Sequence, residues 1–452
     1  MSIPLIYQEE TDYIPRTEQI WIKPNDLLSN HCHIAKNLYN EGNYIIRQEF
    51  TKKDKDGNNC GTYLPYSVID YLIKDKSENY RKLSAQTAQQ ILKILDRNWK
   101  SFFEAIKDWK LNPDKYLGRP KLPGYLKKDG EFVLYFTDQQ VRIDNDTGKI
   151  IFPKSMYFLR GIKTRIKNTI RELRIIPKGK KIGYIIDLVY RKEVKKITNL
   201  NNDNVIGLDF GLRNFVTISG NYRLKPIVVK GGVLKSINQY YNKKLAELKT
   251  IYSRQDVTVG DKIQKRLTGP AIQILTNNRS KKIKDVMHKY SRYIIDYCIQ
   301  HNIGTIVIGY NPEWKQKINL GKKTNQNFVQ IPFYQFMKMI KYKCEEIGIS
   351  VIDQEESHTS KCSFLDDESV EHHDSYVGKR TSRGLFRSAK GILINADVNG
   401  VLNIIKKAIP KAFSKEKVDR IEDDGLHPLR INPLIVKTNS KMLSRNVNFV
   451  RG

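Results

Sequence analysis

The sequence is poor in cysteine and short of acid. Its five cysteines, Cys32, Cys60, Cys298, Cys344 and Cys362, are scattered, with no CxxC pair among them. That spacing argues against a disulfide framework and points to a reducing cytosol. No apolar run approaches the roughly 20 residues of a spanning helix, so membrane insertion does not explain the basic charge. The opening residues, MSIPLIYQEETDYIP, carry acids early and no basic stretch ahead of an apolar one. They do not read as a secretory signal. No glycine-rich loop ends in GK[ST], and no Ser–His–Asp or Cys–His constellation competes for a catalytic role.

Positive charge is what the sequence has in excess. There are 79 Lys and Arg against 48 Asp and Glu, a formal net charge of +31 on 452 residues. Self-repulsion at that charge opposes folding, and an enzyme of small molecules has no need of it. A polyanionic partner is the simplest account. The chain also has 25 Tyr, and Tyr interleaved with Lys and Arg suits stacking on bases beside phosphate contacts, although any single aromatic is more often a core residue. Basic runs such as Lys52, Lys53 and Lys55, or Lys178, Lys180 and Lys181, are individually ordinary solvated faces; as a group they are candidate phosphate contacts. The length predicts about two to four domains.

Along the chain, residues 1–30 read as an extended start with strand character (EQIWIKP), the pattern turns helical from Asn25 to about Lys110, and the helical domain is placed at 31–129. Leu92, Ile94, Leu95, Trp99, Phe102 and Phe103 recur at helical spacing after Ser84, a candidate N-cap. Residues 116–130 (YLGRPKLPGYLKKDG) form a bent basic connector, with Arg119 and Lys121 as candidate nucleic-acid contacts. Short strands separated by turn signals fill 130–200. Together, 1–30 and 130–200 read as a β-barrel-like domain into which the helical segment is inserted. Residues 199–204 (NLNNDN) are a polar boundary. Beyond it come three strands, a long interrupted helical stretch (234–302), a strand at 305–310, a helix, a strand at 349–354 and a helix at 395–409. That is the order of an RNase H-like α/β fold, following the α+β region, spanning 201–357 and 394–410. The tail, 411–452, is basic and mixed, with no pattern that places it.

Two carboxylates give that order a chemistry. Asp209, in VIGLDFGLRNFVTIS, sits in an apolar strand, where an ionised lone carboxylate is disfavoured unless something compensates it. Capping the following turn is the plainer role. Asp397, in LINADVNGVLNII, opens an amphipathic helix, a position that favours Asp in any case. Asn395 and Asn399 flank it as candidates to orient it or a metal-bound water.

With these motifs the sequence resembles the TnpB family of transposon-encoded, RNA-guided nucleases, relatives of Fanzor proteins and type V CRISPR effectors. GLDFGLRNF (207–215) resembles the family's first RuvC motif, NADVNGVLNI (395–404) its third, and HTSKCS (358–363) the start of its zinc-ribbon insert. The resemblance is good over about 205–405. In the N-terminal part it is carried by AQQILKILDRNWKSFF and GRPKLPGY. It implies a RuvC nuclease region, a wedge domain built from the N-terminal strands and a recognition domain built from the helices. It also implies a guide RNA, double-stranded target DNA, two Mg²⁺ ions (with Mn²⁺ able to substitute), no required protein partner, and action on DNA in a prokaryotic cytoplasm.

The family pattern breaks twice. The second RuvC motif ends in Glu, but here the strand reads TIVIGYN and Gly309 takes that position. An acid just past the fifth strand can serve instead if that strand lies beside the fourth, about 4.8 Å away, and Gly309 leaves the path clear. Fanzor-like relatives carry a displaced Glu three residues before the Thr of a TSK-type motif. Counting back from Thr359 gives Glu356, with Glu355 the alternative and Glu313 an outside candidate. The set implied for catalysis and metal binding is thus Asp209, Glu356 and Asp397. The second break is the ribbon, 358–393: Cys362, His358, His372 and His373 lack the paired close ligands of structural zinc, and none is expected. The segment then reads as a basic loop in which Arg383 and Arg387 are candidate contacts to the cut strand. Three readings besides the transposon nuclease stay open: a catalytically inactive guide-directed repressor, a guide-free RNase H-type transposase, and a CRISPR-associated effector.

Overall fold

A computed structural model describes residues 13–434 except 168, 180, 195–196, 198–199, 212, 223, 256, 260–261, 265–267, 312–330, 383 and 415–424. The chain forms two compact units, Met1–Glu193 and Val194–Gly452.

In the first unit, β1 (Tyr13–Ile22) is followed by the helices α1 (Asp26–Phe50), α2 (Tyr66–Ile73), α3 (Glu78–Arg81) and α4 (Ala85–Leu111). Strands β2 (Leu134–Thr137), β3 (Arg142–Asp144), β4 (Lys149–Ile151), β5 (Ile170–Pro177) and β6 (Tyr184–Glu193) come next. The sheet is antiparallel in the order β1-β6-β5-β2, with β3 and β4 a separate hairpin. In chain order these helices lie between β1 and β2, two strands of one sheet, and α1 starts at Asp26, where the sequence pattern turns helical. The sheet runs from edge β1 to edge β2, and no pairing closes it into a barrel among the described residues. One apolar core joins helices and sheet, from Leu28, Leu38 and Trp99 to Leu134, Ile175 and Leu188. Ser84 precedes α4 but makes no capping bond there; its hydroxyl donates to Thr87.

The second unit holds β7 (Asn201–Phe210), β8 (Asn214–Gly220), β9 (Ile227–Lys230), α5 (Gly232–Ser253), the hairpin β10 (Val257–Val259) and β11 (Lys262–Gln264), and α6 (Pro270–Gln300). Then come β12 (Ile303–Tyr310), α7 (Phe333–Ile347), β13 (Ser350–Glu355), the small sheet β14 (Lys379–Ser382), β15 (Leu385–Arg387) and β16 (Leu393–Asn395), helix α8 (Ala396–Ala408) and β17 (Leu429–Ile431). The main sheet has the order β13-β12-β7-β8-β9-β17. Strands β7, β8 and β9 are antiparallel neighbours, whereas β12 runs parallel to β7 and β13 parallel to β12. The fifth strand of the sequence reading therefore does lie beside the fourth, on the side away from the first. The tail supplies a strand that its composition gave no hint of: β17 pairs in parallel with β9.

Both faces of this sheet are covered, so its strands read as nearly continuous apolar runs. Period-two alternation divides β7 between two layers. Ile206, Leu208 and Phe210 join the core of α6 and α7 with Met287, Phe336 and Ile340. Val205 joins the α8 side with Val401, Ile404 and Ile405. Gly207 lies on the α8 side too; a Cβ there would come within 2.8 Å of both Val401 Cγ1 and Ile405 Cγ1, so glycine is what lets α8 settle on the strand.

Candidate active site

The alternation that buries Leu208 and Phe210 on one side turns Asp209 to the other, toward α8. There the helix presents Gly400, whose Cβ, if it had one, would lie 3.7 Å from Asp209 Oδ2. Asp397 stands in the first turn of α8, which is capped by the Asn395 side chain accepting from the amides of Asp397 and Val398. Asn214, at the start of β8, donates to Asp397 Oδ2 at 2.5 Å. This contact was missed in the sequence, although Asn214 sits inside the GLDFGLRNF motif. Asn399, by contrast, does not orient Asp397: it bonds Phe364 N and Cys362 O, and with Asn403 ties the 359–364 turn to α8. Asn395 acts as a helix cap.

Glu356 follows β13 directly, and its amide donates to Tyr310 O at 3.2 Å, continuing the β12–β13 ladder by one step. Gln354 pairs with Gly309, and Gly309 follows Ile308, the partner of Leu208. Glu356 therefore shares the parity of Gly309 and Asp209. The space beside Gly309 is not an open path, as the sequence reading supposed. Ile404 fills it, with Cδ1 2.5 Å from where a Cβ would stand.

The electrostatics tie the three acids together. Burial, then Glu356, then Asp397 push the Asp209 carboxyl well above the usual carboxylate range, opposed by the Phe210 backbone N–H. Three carboxylates form a hard-oxygen donor set of the kind that suits Mg²⁺. Among the described residues no three His, Cys, Asp or Glu side chains form a ready-made cage. Mg²⁺ keeps several waters and leans on one or two carboxylates at a time, so donor chemistry and like-charge crowding carry the fit.

Glu355 is committed elsewhere. Its carboxylate accepts from Ser357 N at 2.8 Å, from Ser357 Oγ at 2.5 Å and from Lys407 Nζ at 3.0 Å. Burial opposes its ionisation, but the Ser357 and Lys407 bonds prevail and hold its pKa below the ordinary value. This clamp fastens the turn after β13 to the last turn of α8. We expect Lys407→Met to lower cleavage about tenfold and Lys407→Arg to retain most of it, with stability changed by no more than about 1 kcal/mol because the ion pair is partly exposed. Cleavage rates and melting curves on the same preparations check this.

In the 358–393 segment the rings of His358 and His372 meet edge to face with centroids 5.6 Å apart, and His358 and His373 both touch Tyr376. Cys362 is buried and its thiol faces Glu371 O at 3.6 Å. His358 meets Tyr376 OH at 3.1 Å, and His373 meets Ser369 O at 2.8 Å. Carboxylates knit the segment: Glu368 accepts from Ser363 N and Val377 N, and Asp366 from Ser363 Oγ and Ala389 N. Arg387 is exposed on β15, and Arg119 and Lys121 are exposed on their loop, whose backbone at 123–126 is held by Asn40, Asn43 and Arg47 of α1. Arg383, Glu313 and Lys180 lie outside the described residues.

The chain is similar to known proteins over most of its length. Residues 188–315 match the OrfB_IS605 family, described as probable transposase, and residues 333–404 match the Cas12f1-like TNB domain. A TnpB-like protein, ORF457 of Acidianus two-tailed virus, is 25% identical over 445 residues, spanning 89% of this chain and 88% of its own. The CRISPR-associated endodeoxyribonuclease Cas12f1 of Sulfoacidibacillus thermotolerans is 26% identical over 249 residues, 54% of each chain. The cryo-EM structure of a Cas12f1–sgRNA–target DNA complex superposes with a TM-score of 0.51 at 15% identity, over 84% of this chain and 82% of that one. The second unit thus has the RuvC-type, RNase H-like fold, with acids gathered beside its central strand. Within that class, the chain is similar to TnpB-like proteins over most of its length.

Proposed function

We propose that this protein is an RNA-guided DNA endonuclease of the transposon-associated kind, which hydrolyses phosphodiester bonds at Asp209, Glu356 and Asp397. The observation that carries the reading is that the charges of Glu356 and Asp397 both bear on the buried Asp209, the three coming from a strand, the turn after another strand and a helix. A pair of Mg²⁺ ions, when bound, supplies a water of lowered pKa and neutralises charge on the leaving oxygen. The protein's part is to hold oxygen donors in place: Asp209 from the central strand, Glu356 from the clamped turn, and Asp397 from the capped helix, steadied by Asn214. The first unit supplies the wedge and recognition surfaces, with Arg119 and Lys121 on phosphates, and in the second unit Arg387 meets the strand being cut. The RuvC site has no means of reading a long sequence, so a guide RNA supplies the specificity by pairing with target DNA. The relatives named for sgRNA and target DNA support that assignment of partners. Among the described residues no helix is long and apolar enough to cross a membrane.

The test is purification with the co-expressed transcript, followed by incubation with matched DNA and Mg²⁺. A defined bound RNA and guide-dependent cutting are expected. Guide-dependent binding without cutting would favour the repressor, a reading that rests on Gly309; strand joining without RNA would favour a transposase. Binding should also be strongly salt-dependent. If about 6–10 phosphates are neutralised, affinity falls about 10³–10⁵-fold between about 50 and 200 mM salt. A flat salt response in a titration would contradict the polyanion reading of the charge.

A further inference from the structure

The catalytic reading leaves one built pocket unused. Helices α5 and α6 run antiparallel, with Tyr241 beside Thr276 and Asn238 beside Arg279. Between them lies a cavity of about 240 Å³ lined by Ile237, Tyr240, Tyr241, Leu275, Arg279 and Lys282. That is smaller than the roughly 300–1,000 Å³ of small-molecule sites and suits a single planar ring. Tyr240 is 58% exposed, and the Lys282 ammonium lies 6.0 Å from its ring centroid. The Arg279 guanidinium lies 5.0 Å from the Tyr241 centroid, and its Nε donates to Asn238 Oδ1 at 2.7 Å. Asn238 is itself fully buried, and its Nδ2 has no hydrogen-bond partner in the structure. The surroundings match in charge: the two helices carry ten Lys and Arg against three acids.

We propose that this pocket takes one nucleotide of a single-stranded segment, its base against Tyr240 and its phosphate against Lys282 and Arg279. A neutral aromatic ligand would leave the two cations unused, and a free phosphate would leave the tyrosine unused. A nucleotide uses both, with stacking that tolerates any base and a guanidinium pre-ordered for phosphate. The proposal rests on the nucleic-acid reading above and adds to it a specific contact on the nuclease unit.

The full chain is irradiated with iodouracil-substituted oligouridine or oligothymidine, and adducts are mapped by mass spectrometry. An adduct on Tyr240 is expected. Its appearance in the RNA arm assigns the site to the guide, and in the DNA arm to a target strand. Tyr240→Leu should weaken oligomer binding about tenfold, whereas Tyr240→Phe should bind as the native chain does. On an abasic oligomer the Leu variant and the native chain should bind alike. Lys282→Ala should lower the salt slope by about 0.7, one single-strand phosphate. Adducts elsewhere but none at Tyr240 in either arm, or a Tyr240→Leu loss that persists on the abasic oligomer, would overturn the pocket alone. Failure of the native chain to bind either oligomer would overturn the nucleic-acid reading with it.

Discussion

Glu356→Gln is expected to lower target cleavage by at least about 10²–10³-fold, the scale on which one charge-stabilising group matters in a transition state. Glu355→Gln is expected to stay within about tenfold of the native rate. The two residues are adjacent, yet their surroundings differ in kind. The Glu355 carboxylate is bonded to Ser357 and Lys407. Glu356 instead acts electrostatically on Asp209, from the register position two residues beyond the Gly309 partner on the same side of the sheet. Gln keeps the size and the hydrogen-bonding capacity of the side chain and removes only its charge, so guide-dependent DNA binding should survive in both variants. Cleavage rates on matched DNA, with binding measured in Ca²⁺, separate the outcomes. A dead Glu355→Gln beside an active Glu356→Gln would exchange the two roles, and full activity in both would remove the proposed site.

Much of this arrangement was legible in the sequence because it depends on period and order. The alternation in VIGLDF puts Asp209 opposite Leu208 and Phe210, and the pattern of LINADVNGVLNII places Asp397 at the start of an amphipathic helix, although Asn395, read as orienting Asp397, is that helix's cap. The relation of β13 to β12 followed from the fold order, whereas the proposal of Glu356 came from the family resemblance, by counting back from Thr359. What the sequence withheld were contacts made across the fold by residues with no local signature. Ile404 filling the space beside Gly309 depends on the height at which α8 crosses the sheet. Asn399 serves the 359–364 turn rather than Asp397, a choice set by which face of one helical turn meets which loop. The pairing of β17 with β9 joins segments about 200 residues apart in a tail of mixed composition, where no pattern marks three residues as a strand. The clamp from Lys407 to Glu355 is of the same kind, since a lysine in the last turn of a helix reads as an ordinary favourable charge until its partner is seen.

Asp209→Asn is expected to abolish cleavage, by at least about 10²–10³-fold, and at the same time to stabilise the metal-free protein. The two effects share one cause. Burial and the charges of Glu356 and Asp397 raise the Asp209 pKa in the fold. A carboxyl whose folded pKa lies above its unfolded value binds its proton more tightly when folded, so stability is lost as pH rises from the unfolded carboxylate range through the folded value. Asn never ionises and escapes that loss, while retaining a side-chain oxygen to accept from the Phe210 amide. In chelator at neutral pH the variant should therefore melt a few degrees above the native chain. Addition of Mg²⁺ should then raise the native melting temperature by ligand linkage and move the variant much less. The crossing of these two responses is what a catalytic metal site predicts and a turn-capping aspartate does not. A capping role would give a variant that melts lower with and without Mg²⁺. Thermal unfolding of both proteins in chelator and in Mg²⁺, alongside a cleavage assay, decides between them.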